Sequence, residues 1–198
     1  FFLSIFLLKI LLPTFKKIFL DKPNTRSSHV NATPSGGGIV FVSLGSLLSY
    51  QFNLIGPLIC IPLSIVGFLD DKYDLPPKKR LLFQLLTSTI LISVSTLFIN
   101  IKSYSSIPIQ IALYFLLLFL SIFIINIFNF MDGLDGLLSS CIFIILLAFG
   151  IKNDLGIMPL CFSLLAFIFF NWSPAKIFMG DGGSTFLGGV FVYICLKE

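Results

Sequence analysis

The stretch from Ile125 to Leu137, Ile-Asn-Ile-Phe-Asn-Phe-Met-Asp-Gly-Leu-Asp-Gly-Leu, places two amides and two carboxylates at the end of a long apolar run. Asn126, Asn129, Asp132 and Asp135 recur every third position, so on a helix they would drift slowly around one broad face. Gly133 and Gly136 predict a break there instead of a regular continuation. Oxygen donors of this type suit a hard cation such as Mg²⁺, which takes few protein ligands and completes its shell with phosphates and water. The spacing does not fit a Ca²⁺-binding EF-hand, and a glycine-rich turn with helix-capping Asp is the plainer alternative.

Three other stretches carry similar groups. Gly36, Gly37 and Gly38 stand at a predicted helix start, where backbone N–H groups can approach an anion, and Lys22 and Arg26 upstream add positive charge. Asp70 and Asp71 are adjacent at the end of an apolar segment, so they cannot share a helical face and suit two tasks: one holding a cation, one accepting a proton. Asp181 precedes Gly182, Gly183 and Ser184; a helix beginning near Ser184, capped by its hydroxyl, would present free N–H groups to a phosphate. Each of these loops, taken singly, also reads as an ordinary capped or solvated helix end.

The elements that must hold these loops are apolar. Of 198 residues, 57% are hydrophobic and 11% charged, and the mean hydropathy is +1.03. A surface so poor in charge predicts an all-α, polytopic membrane protein with about eight helices. The predicted segments run over residues 1–20, interrupted by Pro13, then 36–50, 54–69, 81–99, 107–128, 133–150, 155–171 and 185–196. Strict alternation of spans puts the four rich loops on one side. That side holds nine of the thirteen basic residues: Lys16, Lys17, Lys22, Arg26, Lys72, Lys78, Lys79, Arg80 and Lys176. By the positive-inside rule it is the cytosolic face. It also holds seven of the nine acidic residues, Asp21, Asp70, Asp71, Asp74, Asp132, Asp135 and Asp181. The rule does not require carboxylates to follow the bases, so their clustering points to a site.

Several function classes fall away. No acidic residue lies at mid-span, which disfavours a transporter. No basic stripe with interleaved stacking aromatics is present, so no nucleic-acid partner is expected. His29 is the single histidine, and Cys60, Cys141, Cys161 and Cys195 show no Cys-x-x-Cys spacing, so zinc and disulfide chemistry are not indicated. The apolar opening segment lacks a basic start and a small-residue cleavage site, which argues against a signal peptide. Together the loops suggest a metal-assisted enzyme acting on a phosphorylated polar substrate at the cytosolic surface, with a lipid partner from the bilayer.

Read as an ordered set, the loops resemble a known family. Asp-Lys-Pro-Asn-Thr-Arg-Ser-Ser-His with Thr-Pro-Ser-Gly-Gly-Gly, then Asp70-Asp71, then Asn126-Ile-Phe-Asn-Phe-Met-Asp-Gly-Leu-Asp-Gly, then Pro174-Ala-Lys-Ile-Phe-Met-Gly-Asp-Gly-Gly-Ser are similar to the polyprenyl-phosphate N-acetylhexosamine-1-phosphate transferases. Within that family, glycosyltransferase family 4, the branch transferring GlcNAc-1-phosphate or a related sugar phosphate looks closer than the phospho-MurNAc-pentapeptide branch. The resemblance implies transfer of a HexNAc-1-phosphate from a UDP-N-acetylhexosamine to undecaprenyl phosphate with release of UMP, at the cytosolic face of the bacterial inner membrane. It implies Mg²⁺, with Mn²⁺ as a substitute, held by Asn129 and Asp181, and catalytic roles for Asp70 and Asp71. It further implies substrate contacts from Asp135, at the uridine, and from Asp132, Lys22, Arg26, Gly36, Gly37, Lys176 and Ser184. A homo-oligomer is compatible with all of this.

Two departures accompany the resemblance. Ser35 stands where family members often carry a basic residue. The family also continues into further helices and a His-rich loop. The expectation is therefore one integral-membrane transferase domain over 1–198, a fragment lacking those C-terminal parts and incomplete at both ends. The alternative is an inactive remnant or a non-catalytic nucleotide- or lipid-binding membrane protein.

Overall fold

The computed structural model describes residues 1–21 and 32–197, and their fold is all-α apart from one minimal β-ladder. Helix α1 spans Phe2–Ile18 and contains Pro13. Strand β1, Leu20–Asp21, pairs antiparallel with β2, Thr33–Pro34, in the register Leu20 to Pro34. There follow α2 (Gly38–Gln51), α3 (Gly56–Ile59), α4 (Ile61–Tyr73), α5 (Pro77–Ser93) and α6 (Thr96–Tyr104). The chain continues through α7 (Ile107–Met131), α8 (Leu137–Lys152), a 3-10 turn at Leu155–Ile157, α9 (Met158–Asn171) and α10 (Asp181–Lys197).

Local chemistry sets many of these boundaries. Proline occupies the first turn of α3, α4, α5, α7 and α9, where its missing N–H is one the helix could not use. Ser95 caps α6 by accepting from the Phe98 amide. Helix α4 ends on Asp74 in the left-handed region, a conformation that stops a helix and that Asp tolerates better than most residues.

Each apolar segment predicted from the sequence is helical, but the count of eight complete spans is not established. Helix α7, 25 residues long, is by itself long and apolar enough to cross a membrane; α5 with the start of α6, bent by 61°, would be a second. Helices of 13 to 17 residues, such as α4 and α10, reach only about 20–26 Å at ~1.5 Å per residue, short of a ~30 Å hydrocarbon core.

Helix α10 is the central element, packed by α4, α7 and α2. Its glycines explain how three neighbours fit around it. A Cβ on Gly188 would lie 2.9 Å from the Cα of Ile125 on α7, and one on Gly183 would lie 3.1 Å from the Cα of Gly38 on α2. From the α4 side, a Cβ on Gly67 would come within 2.5 Å of the backbone of Asp181. Small residues at such crossings let helix backbones approach closely. Phe41, Phe167 and Phe186 fill the core between α2, α9 and α10, with ring centroids 5.3 and 6.3 Å from Phe41. Outside, Phe115, Phe119 and Phe123 form an exposed stripe on α7.

Candidate active site

The close approach at Gly67 brings the end of α4 against the start of α10, and this junction gathers the carboxylates. Asp70 is buried; its Oδ1 accepts the Leu75 amide at 2.8 Å and its Oδ2 accepts Arg80 Nη1 at 2.6 Å. The same Nη1 lies 3.6 Å from Asp181 Oδ2. Asp181 Oδ1 accepts the side-chain amide of Asn129 at 2.9 Å, and that amide also donates to Ser184 Oγ at 3.0 Å. A carboxylate only accepts, so Asn129 must present its NH₂ to Asp181, leaving its Oδ1 available to a cation.

Asp71 points elsewhere. Its Oδ1 accepts the backbone N–H of Asp181 at 3.0 Å, so a side chain of α4 caps α10. The expected start of α10 near Ser184 is corrected by this geometry: the helix begins at Asp181, and Ser184 is fully buried in its first turn. The hydroxyl of Ser184 accepts from Asn129. The anion that the α10 N-terminus attracts here is the carboxylate of Asp71.

For two glycines of the triplet the expectation is also corrected. Gly37 and Gly38 donate their amides to the carbonyls of Phe178 and Met179, at 2.9 and 3.1 Å. They dock the loop before α10, and their N–H groups are not free for a phosphate. Gly36 and Gly180 both have positive φ, and a Cβ on Gly180 would fall 2.5 Å from Asp71 Oδ2 and 2.8 Å from Ser35 Oγ. Only glycine fits that turn.

Asp132, at the end of α7, faces the same group: burial, then the charges of Asp181 and Asp71, raise its pKa well above the ordinary carboxylate value. Asp71 is pushed up to about 7 by the protein packed around it and by the Asp181 charge, against the pull of the α10 amides. Asp181 is raised too, first by burial; the Asn129 hydrogen bond and Arg80 oppose this, and Asp70 adds to it. Four carboxylates thus converge with one guanidinium among the described residues, and repulsion between them favours any added positive charge.

Asp135 holds the wall. Its Oδ2 accepts the Ala175 amide at 3.0 Å, tying the α7–α8 turn to the α9–α10 loop. Lys176 is exposed on that loop with its backbone N–H on Phe170 O, and no ion pair joins it to the carboxylates. Lys22 and Arg26 lie outside the described residues. Asn126 pairs reciprocally with Gln84, at 2.9 and 3.3 Å, and pins α7 to α5.

Three residues escaped the sequence reading. Arg80 was counted only as a basic loop residue, although Arg80 and Gln84 stand four apart at the start of an apolar run and so share a face. Asn171 is a lone buried amide at the end of α9. Its Oδ1 accepts from Gly136 N at 3.2 Å and Ser139 Oγ at 3.0 Å, and its Nδ2 donates to Ile177 O at 3.2 Å.

Asp70 and Asp181 open on a small cleft whose lining also includes Arg80, Asn129 and the apolar Leu63, Val66 and Phe83. Among the described residues, no group of three or more His, Cys, Asp or Glu is arranged to hold a metal unaided.

Comparison with known proteins identifies the family. The undecaprenyl-phosphate alpha-N-acetylglucosaminyl 1-phosphate transferase of Thermotoga maritima is 33% identical over 188 residues, covering 94% of this chain and 60% of that protein. The phospho-N-acetylmuramoyl-pentapeptide-transferase of Streptococcus pneumoniae is 33% identical over 192 residues, 83% of this chain and 59% of the relative. That of Bacillus anthracis is 31% identical, aligning all of this chain with 73% of the relative. The chain thus spans about 60% of the length of the first two of these curated relatives. The sequence profile described as glycosyl transferase family 4 matches residues 54–198, which takes in every carboxylate of the cleft, and the chain belongs to that family.

Proposed function

We propose that this chain transfers a HexNAc-1-phosphate from a UDP-N-acetylhexosamine to undecaprenyl phosphate at the cytosolic face of the bacterial inner membrane. The observation that carries the reading is the cleft itself: oxygen donors from α4, α7 and α10 share its lining with the apolar Leu63, Val66 and Phe83, a mixture that suits a polar phosphorylated substrate meeting a lipid phosphate. The exposed apolar faces of the helices and the length of α7 support a membrane location.

In this reaction an oxygen of the lipid phosphate attacks the β-phosphorus of the UDP-sugar. A new P–O bond forms, the bond from that phosphorus to the bridging oxygen breaks, and UMP leaves with the oxygen and its electron pair. The lipid phosphate is already anionic at neutral pH, so positioning supplies most of what a base would. Asp181 and the free Oδ1 of Asn129 fit a hard cation that takes few protein ligands, and the mutual repulsion of the carboxylates favours its binding. Bound there, Mg²⁺, or Mn²⁺ in its place, would neutralise charge developing on the pyrophosphate. Asn129 and Ser184 orient Asp181, Asp71 secures the helix end that carries it, and Asp135 and Asn171 hold the wall on which the nucleotide would rest.

Mg²⁺-dependent UMP release from UDP-GlcNAc and related UDP-sugars, in the presence of undecaprenyl phosphate, tests the reading. Asp181→Asn and Asp70→Asn are expected to lose at least about 100-fold in turnover. Full turnover by both variants would sink the site assignment, and nucleotide binding without turnover would support a non-catalytic binding protein.

A further inference from the structure

We propose that the hollow between α4 and α5 binds a bilayer phospholipid of net negative charge, with its phosphate on Lys79 and one acyl chain between the two helices. The proposal needs the membrane location and not the transferase reading.

The sequence spaces the parts of this site. Helix α5 opens with Pro77, Lys78 and Lys79, and Lys79, Phe83, Leu86 and Ile90 stand at i, i+4, i+7 and i+11, which is one face of a helix. Phe83, Leu86 and Ile90 are exposed on that face. On α4, joined to α5 by a short turn, Leu69, Ile65 and Pro62 repeat the same spacing in the reverse direction, and Leu69 and Ile65 are exposed. Between the two rows lies a hollow of about 240 Å³ lined by Pro62, Ile65, Leu69 and Phe83, with Lys79 as the charged residue of the lining.

The hollow thus has an ammonium at the end beside the α4–α5 turn and an apolar slot leading away from it. Among the described residues no side chain pairs with that ammonium; the backbone N–H of Lys79 donates to Pro76 O. Lys78 is exposed next to it. A slot of this size admits a slender chain, whereas a helix about 10 Å across does not fit. Phosphate at the ammonium and an acyl chain in the slot complete both parts at once. A zwitterionic headgroup brings its own cation against Lys79, so a lipid of net negative charge is preferred.

This lipid is distinct from the acceptor. Lys79 is absent from the lining of the charged cleft, so a phosphate held by it lies outside the place where Asp70 and Asp181 meet. The two spaces share Val66 and Phe83 as walls, and a chain in the hollow buttresses that side of the cleft.

The test counts the lipid that the full chain retains from mixed micelles of phosphatidylglycerol and phosphatidylcholine in equal amounts, by native mass spectrometry. Wild type is expected to keep one phosphatidylglycerol with about fivefold preference, as one lysine near a membrane surface would give. Lys79→Gln abolishes the preference. Lys72→Gln, which removes a lysine outside this hollow, preserves it. Leu69→Trp fills the slot and loses the retained lipid whatever its headgroup; where that protein fails to fold, Ile65→Trp takes its place. Undecaprenyl phosphate added at equal concentration leaves the phosphatidylglycerol bound. Equal retention of both phospholipids by wild type, or a loss in Lys72→Gln as large as in Lys79→Gln, overturns the site and leaves diffuse surface attraction. Lipid retention unchanged by both tryptophans overturns the placement of the chain, and displacement by undecaprenyl phosphate gives the hollow to the acceptor and overturns the proposal. Since no turnover is measured, failure of the transferase reading leaves these outcomes unaffected.

Discussion

Asn129 donates its side-chain amide to Asp181 Oδ1 at 2.9 Å, joining the end of α7 to the start of α10 across 52 residues of chain. The same nitrogen holds Ser184 Oγ at 3.0 Å. Removing it leaves a buried hydroxyl and a carboxylate without their donor. Asn129→Ala is expected to lower stability by about 1–3 kcal/mol, read as a fall in Tm in detergent, and to reduce UMP release. Asn129→Asp places another carboxylate beside Asp181 and should be the worse of the two for turnover. Equal activity in wild type and both variants would mean that Asp181 needs no such support.

Gly67 sets how closely α4 approaches α10. A Cβ there would lie 2.4 Å from Gly182 N and 2.5 Å from Asp181 O, atoms of a helix backbone that cannot swing aside. Gly67→Ala should cost about 1–3 kcal/mol by overpacking and shift Asp181 away from Asn129. Gly133→Ala is the control, since its Cβ would meet only Phe130 O at 3.8 Å. A Gly67→Ala protein with wild-type Tm would disprove the close crossing.

Asn171 clamps the turn that carries Asp135 to the loop that leads into Asp181. Asn171→Ala orphans Gly136 N and Ile177 O in a buried place, for an expected loss of about 2–4 kcal/mol. Limited proteolysis should then cut within residues 172–180 well before any other loop, and uniform cleavage would argue against the clamp.

Asp71 gives stability a pH dependence of defined sign. Its carboxyl is pushed up to about 7 in the folded chain, against about 3.9 when unfolded. Between those values the folded chain keeps a proton that the unfolded chain has released. The contribution is therefore fully present below about pH 4 and is lost as pH rises through the folded value. Solvent on the open side of Asp71 screens the effect, and Asp132 and Asp181 act in the same direction. In chelator, Tm should fall as pH rises across this window, and Asp71→Asn should flatten the slope. Parallel slopes for the two proteins would show that Asp71 ionises normally.

At the far end of α10, Lys197 pairs with Asp154 at 2.5 Å, both about one-third exposed. Asp154 still caps the 3-10 turn through Gly156 N. Lys197→Met should cost no more than about 1 kcal/mol and leave turnover unchanged. A large loss of turnover would instead show communication along α10 between this pair and the cleft.

Much of the fold is legible residue by residue. Apolar runs between charged loops marked the helical segments, though not the breaks that divide two of them into α3 with α4 and α5 with α6, and the prolines marked several first turns, because hydropathy and a missing N–H act locally. Helix boundaries were less legible: α10 starts at Asp181 and not near Ser184, since Gly182 and Gly183 are tolerated in a helix when Gly38 and Phe68 pack against them. The glycine triplet showed the same limit. Its freedom of approach was readable, but whether an anion or a backbone carbonyl would approach was not.

By itself the sequence determined that carboxylates and amides sit at the ends of apolar helices, and that their loops resemble one transferase family, because composition and motif order are properties of the chain. Tertiary structure alone decided their division of labour. Adjacent aspartates diverged, Asp70 to Arg80 and Asp71 to the α10 amides, because the Gly67 crossing set which helix end each could reach. Asn129, Arg80 and Asn171 acquired their partners across many residues of chain, and no local pattern records a contact that packing creates.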